Sequence, residues 1–181
     1  MKRALFLLAV IFVGSFVIQG CGVEEITLVK ANASASTEWT LPSSGFEDAV
    51  AANACDGDVD TNWSGLGTGT WAVDCATTDE YWWQIDLGQA EKVSRVELDV
   101  NMIDEGTKQM AGGKEVQIQS SSDGTTFTAI AGAAGTLKQT SRRLVLVFDA
   151  VSTQYVRVLF KSNYGRVPCI NEVTIYKSKM F

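Results

Sequence analysis

In Tyr81-Trp82-Trp83-Gln84-Ile85-Asp86-Leu87-Gly88 the apolar residues Trp83, Ile85 and Leu87 fall at every second position. Side chains alternate across an extended chain, so these three share one face of a strand, and Gly88 ends it. The same period recurs downstream. Val96, Leu98 and Val100 alternate with Arg95, Glu97 and Asp99; Val116 and Ile118 with Glu115, Gln117 and Gln119; Val156, Val158 and Phe160 with Tyr155, Arg157 and Leu159. Each reads as a half-buried strand.

Upstream, Ile26 to Val29 reads as a short edge strand, Asn32 to Thr37 continues extended, and Glu38-Trp39-Thr40-Leu41-Pro42 is a loop. Ser122-Asp123-Gly124-Thr125 is a turn that hands the chain to Phe127 to Ile130, and Leu144 to Phe148 and Val173 to Tyr176 complete the set. No useful window carries the helical period. Eight or so short strands separated by Gly, Asp and Ser turns predict an all-β, antiparallel sandwich or jelly roll.

Between the first strands lies the acidic stretch Asn53-Ala54-Cys55-Asp56-Gly57-Asp58-Val59-Asp60-Thr61-Asn62-Trp63. Alternate carboxylates, a glycine and a threonine hydroxyl are hard oxygen donors of the kind Ca²⁺ takes. An EF-hand would place glycine sixth and glutamate twelfth, where this chain has Thr61 and Gly67. The loop therefore lacks an acid, and Glu172 near the C-terminus is the candidate to supply it. The competing reading is a metal-free Asp/Gly turn.

The chain begins Met1-Lys2-Arg3, runs apolar from Ala4 to Phe16, and reaches Ile18-Gln19-Gly20-Cys21. A basic start, an apolar run too short to span a membrane comfortably and small residues before a cysteine describe a secretory signal over residues 1–20. The last four residues resemble a bacterial lipobox, with Cys21 the lipidated residue and Gln19 a departure from the usual alanine or serine. An ordinary signal or an uncleaved anchor is the alternative. Residues 21–25 then form a tether and 26–181 one domain. The expected location is the cell envelope, with the outer membrane or cell surface favoured because Gly22 follows the cysteine.

The formal charge of −6 becomes −8 once Lys2 and Arg3 are removed. No basic cluster offsets it, which disfavours nucleic acid as a partner. Cys55, Cys75 and Cys169 remain, an odd number for an oxidising compartment. One pair and one free thiol is the simplest arrangement, with Cys75–Cys169 preferred to Cys55–Cys169. The chain has no histidine, so imidazole acid/base chemistry, triads and histidine-ligated zinc are ruled out. A two-carboxylate glycosidase survives only on paper, since no pair is marked by spacing. The expectation is a protein that is not an enzyme.

Taken in order, five segments resemble a discoidin domain, the coagulation factor 5/8 C-terminal type, also known as family 32 among carbohydrate-binding modules. They are Asn53 to Trp63, Trp82 to Gly88, Ser121 to Phe127, Gln154 to Val158 and Asn171 to Tyr176. The resemblance implies an eight-stranded, galactose-binding-domain-like jelly roll with a structural Ca²⁺. Its ligands would be the Asn53 carbonyl, the Asp56 carboxylate, the Asp58 carbonyl, Thr61 through hydroxyl and carbonyl, the Asn171 carbonyl and the Glu172 carboxylate, with Asp60 a solvated neighbour. Cys75 and Cys169 also resemble the bridge of the fucose-binding branch, although Cys169 lies two residues early.

The resemblance further implies binding, without catalysis, of a glycan or glycoconjugate at loops on one end of the sandwich. An aromatic face and planar polar groups suit a sugar, and Trp39, Glu38, Asp104, Lys108, Asn163, Tyr164 and Arg166 are the loop residues that supply them. Trp63, Trp82 and Trp83 are expected in the core or at its edge. The loop histidine common among such sugar binders is missing here, so an envelope polymer or protein held by the same loops is the alternative partner.

Overall fold

The computed structural model describes residues 22–40, 48–68, 74–100 and 112–179. The lipobox with Cys21, and the loop residues Asp104 and Lys108, lie outside the described residues. Within them the strands are β1 (Val23–Ile26), β2 (Ala33–Ala35), β3 (Trp63–Ser64), β4 (Tyr81–Asp99), β5 (Gly113–Ser121), β6 (Thr128–Thr136), β7 (Arg143–Asn163), β8 (Cys169–Ile170) and β9 (Glu172–Ser178). Two short 3-10 helices, Lys30–Asn32 and Ala51–Cys55, join them. No helix of the described residues is long and apolar enough to cross a membrane.

All strand pairs are antiparallel, and β4 and β7 are long enough to serve both layers. The first part of β4, residues 81–86, lies between β2 and residues 155–160 of β7, with β5 and then β6 beyond. Its second part, residues 91–99, lies between residues 143–153 of β7 and β9, with β1 outermost. Register shifts between Asp86 and Glu91 and between Val93 and Arg95 mark the corner where both strands pass from one layer to the other. Bulges of this kind bend a strand without ending its pairing. For that reason the segments read from sequence as separate strands are continuous here.

Two elements differ from those expected. The first strand is Val23–Ile26, so it ends at the residue where the strand Ile26 to Val29 was expected to begin and takes residues 23–25 out of the expected tether; pairing with Ile175 buries Ile26, whereas Val29 is exposed. Trp63–Ser64 pairs with Cys169–Ile170 as a two-residue ladder, too short to show a period.

The interior is the alternating set expected, with Trp83, Ile85, Val96, Leu98, Ile118, Val156, Val158 and Phe160 fully enclosed. Trp63 is also enclosed, its ring 6.2 Å from that of Phe160. Both buried indoles have their N–H groups satisfied, Trp63 donating to the Thr37 carbonyl and Trp83 to the Ala51 carbonyl, each at 2.9 Å. Trp82 takes the opposite face. There the Arg157 guanidinium stacks 4.4 Å from the Trp82 ring and 3.6 Å from that of Phe127, while donating to Gln84 Oε1 at 2.8 and 3.0 Å. In the 122–125 turn, the Thr126 and Thr125 N–H groups and the Ser121 hydroxyl donate to Asp123 and hold its carboxyl well below the usual range.

The expected Cys75–Cys169 bridge is not formed, and all three cysteines outside the lipobox are free. Cys169 is buried beside the Ser64 hydroxyl, its sulfur 3.3 Å from Ser64 Oγ, whereas the Cys75 thiol meets the Tyr81 phenol. Cys55 is buried, and enclosure together with the nearby Glu172 and Asp56 charges pushes its thiol up to about 11. Such thiols stay protonated and unreactive.

Candidate functional site

The register fixes which residues meet at each end of the sandwich. β4 starts at Tyr81, turns the corner near residues 86–91 and returns to Asp99, so Tyr81 and Asp99 lie at the same end. That end also holds the start of β9 at Glu172, the end of β7 at Asn163 and the start of β5 at Gly113. We call it the loop end. The other, the turn end, carries residues 86–91, the 121–126 turn, and the pair formed when the Lys179 N–H donates to the Gly22 carbonyl at 2.9 Å.

At the loop end the acidic stretch folds into a tight oxygen cluster. The helix Ala51–Cys55 delivers Asp56, and Gly57 then takes a φ of 85°, a conformation a side chain would strain. The chain thereby doubles back, and Thr61 faces the start of the loop. Its hydroxyl lies 3.1 and 3.2 Å from the two Asp56 carboxylate oxygens, 3.0 Å from the Asp58 carbonyl and 3.5 Å from the Asn53 carbonyl. One hydroxyl proton cannot serve four acceptors, so the cluster has an excess of oxygen lone pairs.

Glu172 closes the cluster from the far end of the chain. Its carboxylate accepts the Gly57 N–H at 2.6 Å. Burial, opposed by that hydrogen bond and reinforced by the Asp56 and Asp58 charges, raises its carboxyl above the ordinary range. Two distant segments thus bring like charges together. Next to it, Asn171 donates from its side-chain amide to the Val59 carbonyl at 2.8 Å and the Thr61 carbonyl at 3.1 Å, and its Oδ1 is buried without a partner. The Thr61 carbonyl is therefore engaged by Asn171. Asp60 is exposed, with its backbone N–H on Asp58 Oδ1. No three carboxylates, thiols or imidazoles converge among the described residues; the cluster is made of two carboxylates, carbonyls and a hydroxyl.

The loop residues expected to meet a ligand divide by environment. Glu38 uses Oε1 to accept the Ala51 N–H at 2.8 Å and so caps the 3-10 helix that leads to Asp56. Asn163 is buried, its amide donating to the Asp79 carbonyl at 2.6 Å, and so belongs to the interior. The Tyr164 hydroxyl donates to the Leu137 carbonyl at 2.9 Å, leaving the ring under the Lys114 ammonium 5.7 Å away. Trp39 is half-buried, its backbone paired with Ser64 and Ala49. Arg166 is half-buried on a backbone bridge to Asp74. A Cβ on Gly112 would fall 1.6 Å from the Arg166 carbonyl, so only glycine lets the start of β5 approach this loop.

Two contributors escaped the reading of the sequence. Lys114, two residues before Val116, stands where the strand's period would put an apolar side chain, and the capping role of Glu38 depends on a helix with no period of its own.

Solved structures of similar shape include carbohydrate-binding modules. The family 32 module of C. perfringens NanJ, in complex with galactose, superimposes with a TM-score of 0.64 at 19% identity over 86% of this chain and 99% of that one. A second, CpGH89CBM32-5 from Clostridium perfringens in complex with GalNAc-beta-1,3-galactose, gives 0.65 at 17% identity over 84% and 99%. Chitosan-binding module 1 of a Paenibacillus sp. IK-5 chitosanase/glucanase gives 0.57 at 25% identity over 84% and 98%. Curated protein sequences yield no match. The family model for the F5/8 type C domain matches residues 31–173, which takes in the oxygen cluster, both long strands and the start of β9; the chain belongs to the F5/8 type C, or discoidin, family.

Proposed function

We propose that this chain is a non-catalytic carbohydrate-binding module, lipid-anchored at Cys21, whose loop end holds a glycan and is fixed by a structural Ca²⁺. The observation that carries the metal is the Thr61 hydroxyl among four acceptor oxygens, with the Glu172 carboxylate beside it. Asn53, Asp56, Asp58, Thr61 and Glu172 supply hard oxygen donors, and a divalent cation would relieve both the lone-pair excess and the repulsion between Asp56 and Glu172. Its role there is to hold loops in place.

The glycan assignment rests on family membership and on ligands bound by modules of the same fold. Trp39 offers an aromatic face and Arg166 a planar donor, while Asp104 and Lys108 are further candidates from sequence. The described chain begins at Gly22 on the turn end. A lipid on Cys21 would therefore sit opposite the loops and direct them away from the membrane, as an envelope or cell-surface binder requires.

A glycan array probed with the full chain in detergent, with and without a calcium chelator, tests this. The expected result is retention on a subset of glycans that weakens on chelation. Trp39→Ala and Arg166→Ala are each expected to weaken retention about tenfold, near 1.4 kcal/mol, with the melting midpoint almost unchanged. A large fall in melting for Trp39→Ala would make it a packing residue. The second reading, a protein or envelope-polymer partner at the same loops, is favoured by one observation: the Asn163 amide and the Tyr164 hydroxyl donate to carbonyls of the chain itself, and Glu38 commits Oε1 to the Ala51 N–H. No glycan retention by a chain that melts with calcium dependence would support it.

A further inference from the structure

Asn171 owes its place to a two-residue ladder. β3 and β8 pair through Trp63 with Ile170 and Ser64 with Cys169. Just beyond the Trp63–Ile170 pair, one strand leads back into the acidic loop and the other runs on into Asn171. The Asn171 backbone N–H donates to the Asp99 carbonyl at 2.9 Å, at the end of β4. Its side chain, in a residue only 1% exposed, meets the last limb of the acidic loop and donates to the Val59 and Thr61 carbonyls.

Those two bonds leave the Asn171 Oδ1 buried without a partner. Buried acceptors are seldom left so. Turning the amide over would set Oδ1 against two carbonyl oxygens, so it is the donors that this position serves. Most other hydrogen bonds of the loop are internal: the Asp58 N–H donates to Asp56, the Asp60 N–H to Asp58 and the Thr61 N–H to the Asp58 carbonyl. Among the described residues, residues 57–61 are tied to distant parts of the chain by Glu172, through Gly57, and by Asn171, through Val59 and Thr61.

We propose that Asn171 is a positioning residue for the cation site, and that its side-chain amide sets the width of that site and so which ions fit it. The inference rests on the reading of the oxygen cluster as a Ca²⁺ site. It concerns the side chain alone, apart from the main-chain carbonyl that the family resemblance implies as a ligand. Loop donors and the Glu172 carboxylate come from separate segments, so the space between them depends on how the loop is held. The Glu172 bond to Gly57 fixes its start, and the Asn171 amide fixes its end. Selectivity among divalent ions follows cavity size and flexibility, so a loop pinned at both ends discriminates by size better than one pinned at its start alone. The amide carries no charge, and so it holds the loop without adding to the repulsion among Asp56, Asp58 and Glu172.

Calorimetric titration of Ca²⁺ and of the larger Sr²⁺ into the metal-free full chain tests this. Asn171→Leu keeps much of the side-chain volume and removes both donors, and Asn171→Ala removes them without adding methyl groups to a buried position. Each is expected to raise the Ca²⁺ dissociation constant about tenfold. The ratio of the Sr²⁺ to the Ca²⁺ dissociation constant should fall about threefold or more, because a looser loop discriminates less. Without metal, amide hydrogen exchange over residues 57–61 should quicken while that of β4 and β7 does not. A role in packing alone predicts an Asn171→Leu chain that matches wild type. Folded variants that bind Ca²⁺ as tightly as wild type with the wild-type ratio would overturn the proposal and leave the Ca²⁺ reading standing. So would a weaker affinity with both the ratio and the exchange unchanged. A wild-type chain that binds neither ion would overturn both.

Discussion

Replacing Trp83 with alanine is expected to cost about 3–5 kcal/mol of folding free energy, a fall in melting midpoint of roughly 6–20 °C. The ring is fully enclosed at the centre of the first layer, between strands held by β2 and β7, and no neighbour can fill so large a space. Its indole N–H also holds the Ala51 carbonyl, which opens the short helix leading to Asp56. Damage to the core should therefore reach the oxygen cluster. Trp83→Phe separates the two contributions, since it keeps most of the ring and removes the donor. It should cost about 1–3 kcal/mol, as expected for a buried carbonyl left without its partner, and should weaken calcium binding more than its effect on stability alone explains. Thermal melts of both variants, with and without calcium, check this; a Trp83→Phe chain equal to wild type would show that the indole bond does not position the loop.

The second large effect is that of the metal. At a free concentration a hundred times its dissociation constant, one bound Ca²⁺ should stabilise the native chain by about 2.7 kcal/mol. That corresponds to roughly 5–10 °C in melting midpoint. Asp56→Ala and Glu172→Ala should each abolish the increment, though they differ when no metal is present. Burial first, and then the Asp56 and Asp58 charges, raise the Glu172 carboxyl, so removing it relieves a disfavoured charge at the loss of the exposed Gly57 N–H bond and should lower metal-free stability little. Removing Asp56 releases the Thr61 hydroxyl from its carboxylate and should loosen the loop itself. Melting curves of the three chains in chelator and in calcium measure both effects.

Much of this was legible from residue order. The period of two in Trp83-x-Ile85 and in Val156-x-Val158-x-Phe160 picked out side chains that are enclosed, because a strand has only two faces, whereas Leu87, next to the corner, is only half-buried. The acidic loop announced its chemistry through residue type, and the need for a distant acid pointed to Glu172, which the structure brings against Gly57. What the sequence could not show depended on geometry built by several segments together. The corner at residues 86–91 is set by paired bulges on two strands, so β4 and β7 read as four strands. Asn163 and Tyr164 have the composition of binding residues, yet their polar atoms face the Asp79 and Leu137 carbonyls, and only the folded loop reveals that. Cys75 and Cys169 each precede a strand, but position along a chain does not fix the direction of a thiol.

Calorimetric titration of Ca²⁺ into the metal-free full chain, beside Glu172→Gln and Asp56→Asn, tests the joining of the two segments most directly. One ion per chain should bind wild type, and both variants, near-isosteric but each short of one charge, should lose that heat. No binding by wild type, or binding unchanged in Glu172→Gln, would contradict it.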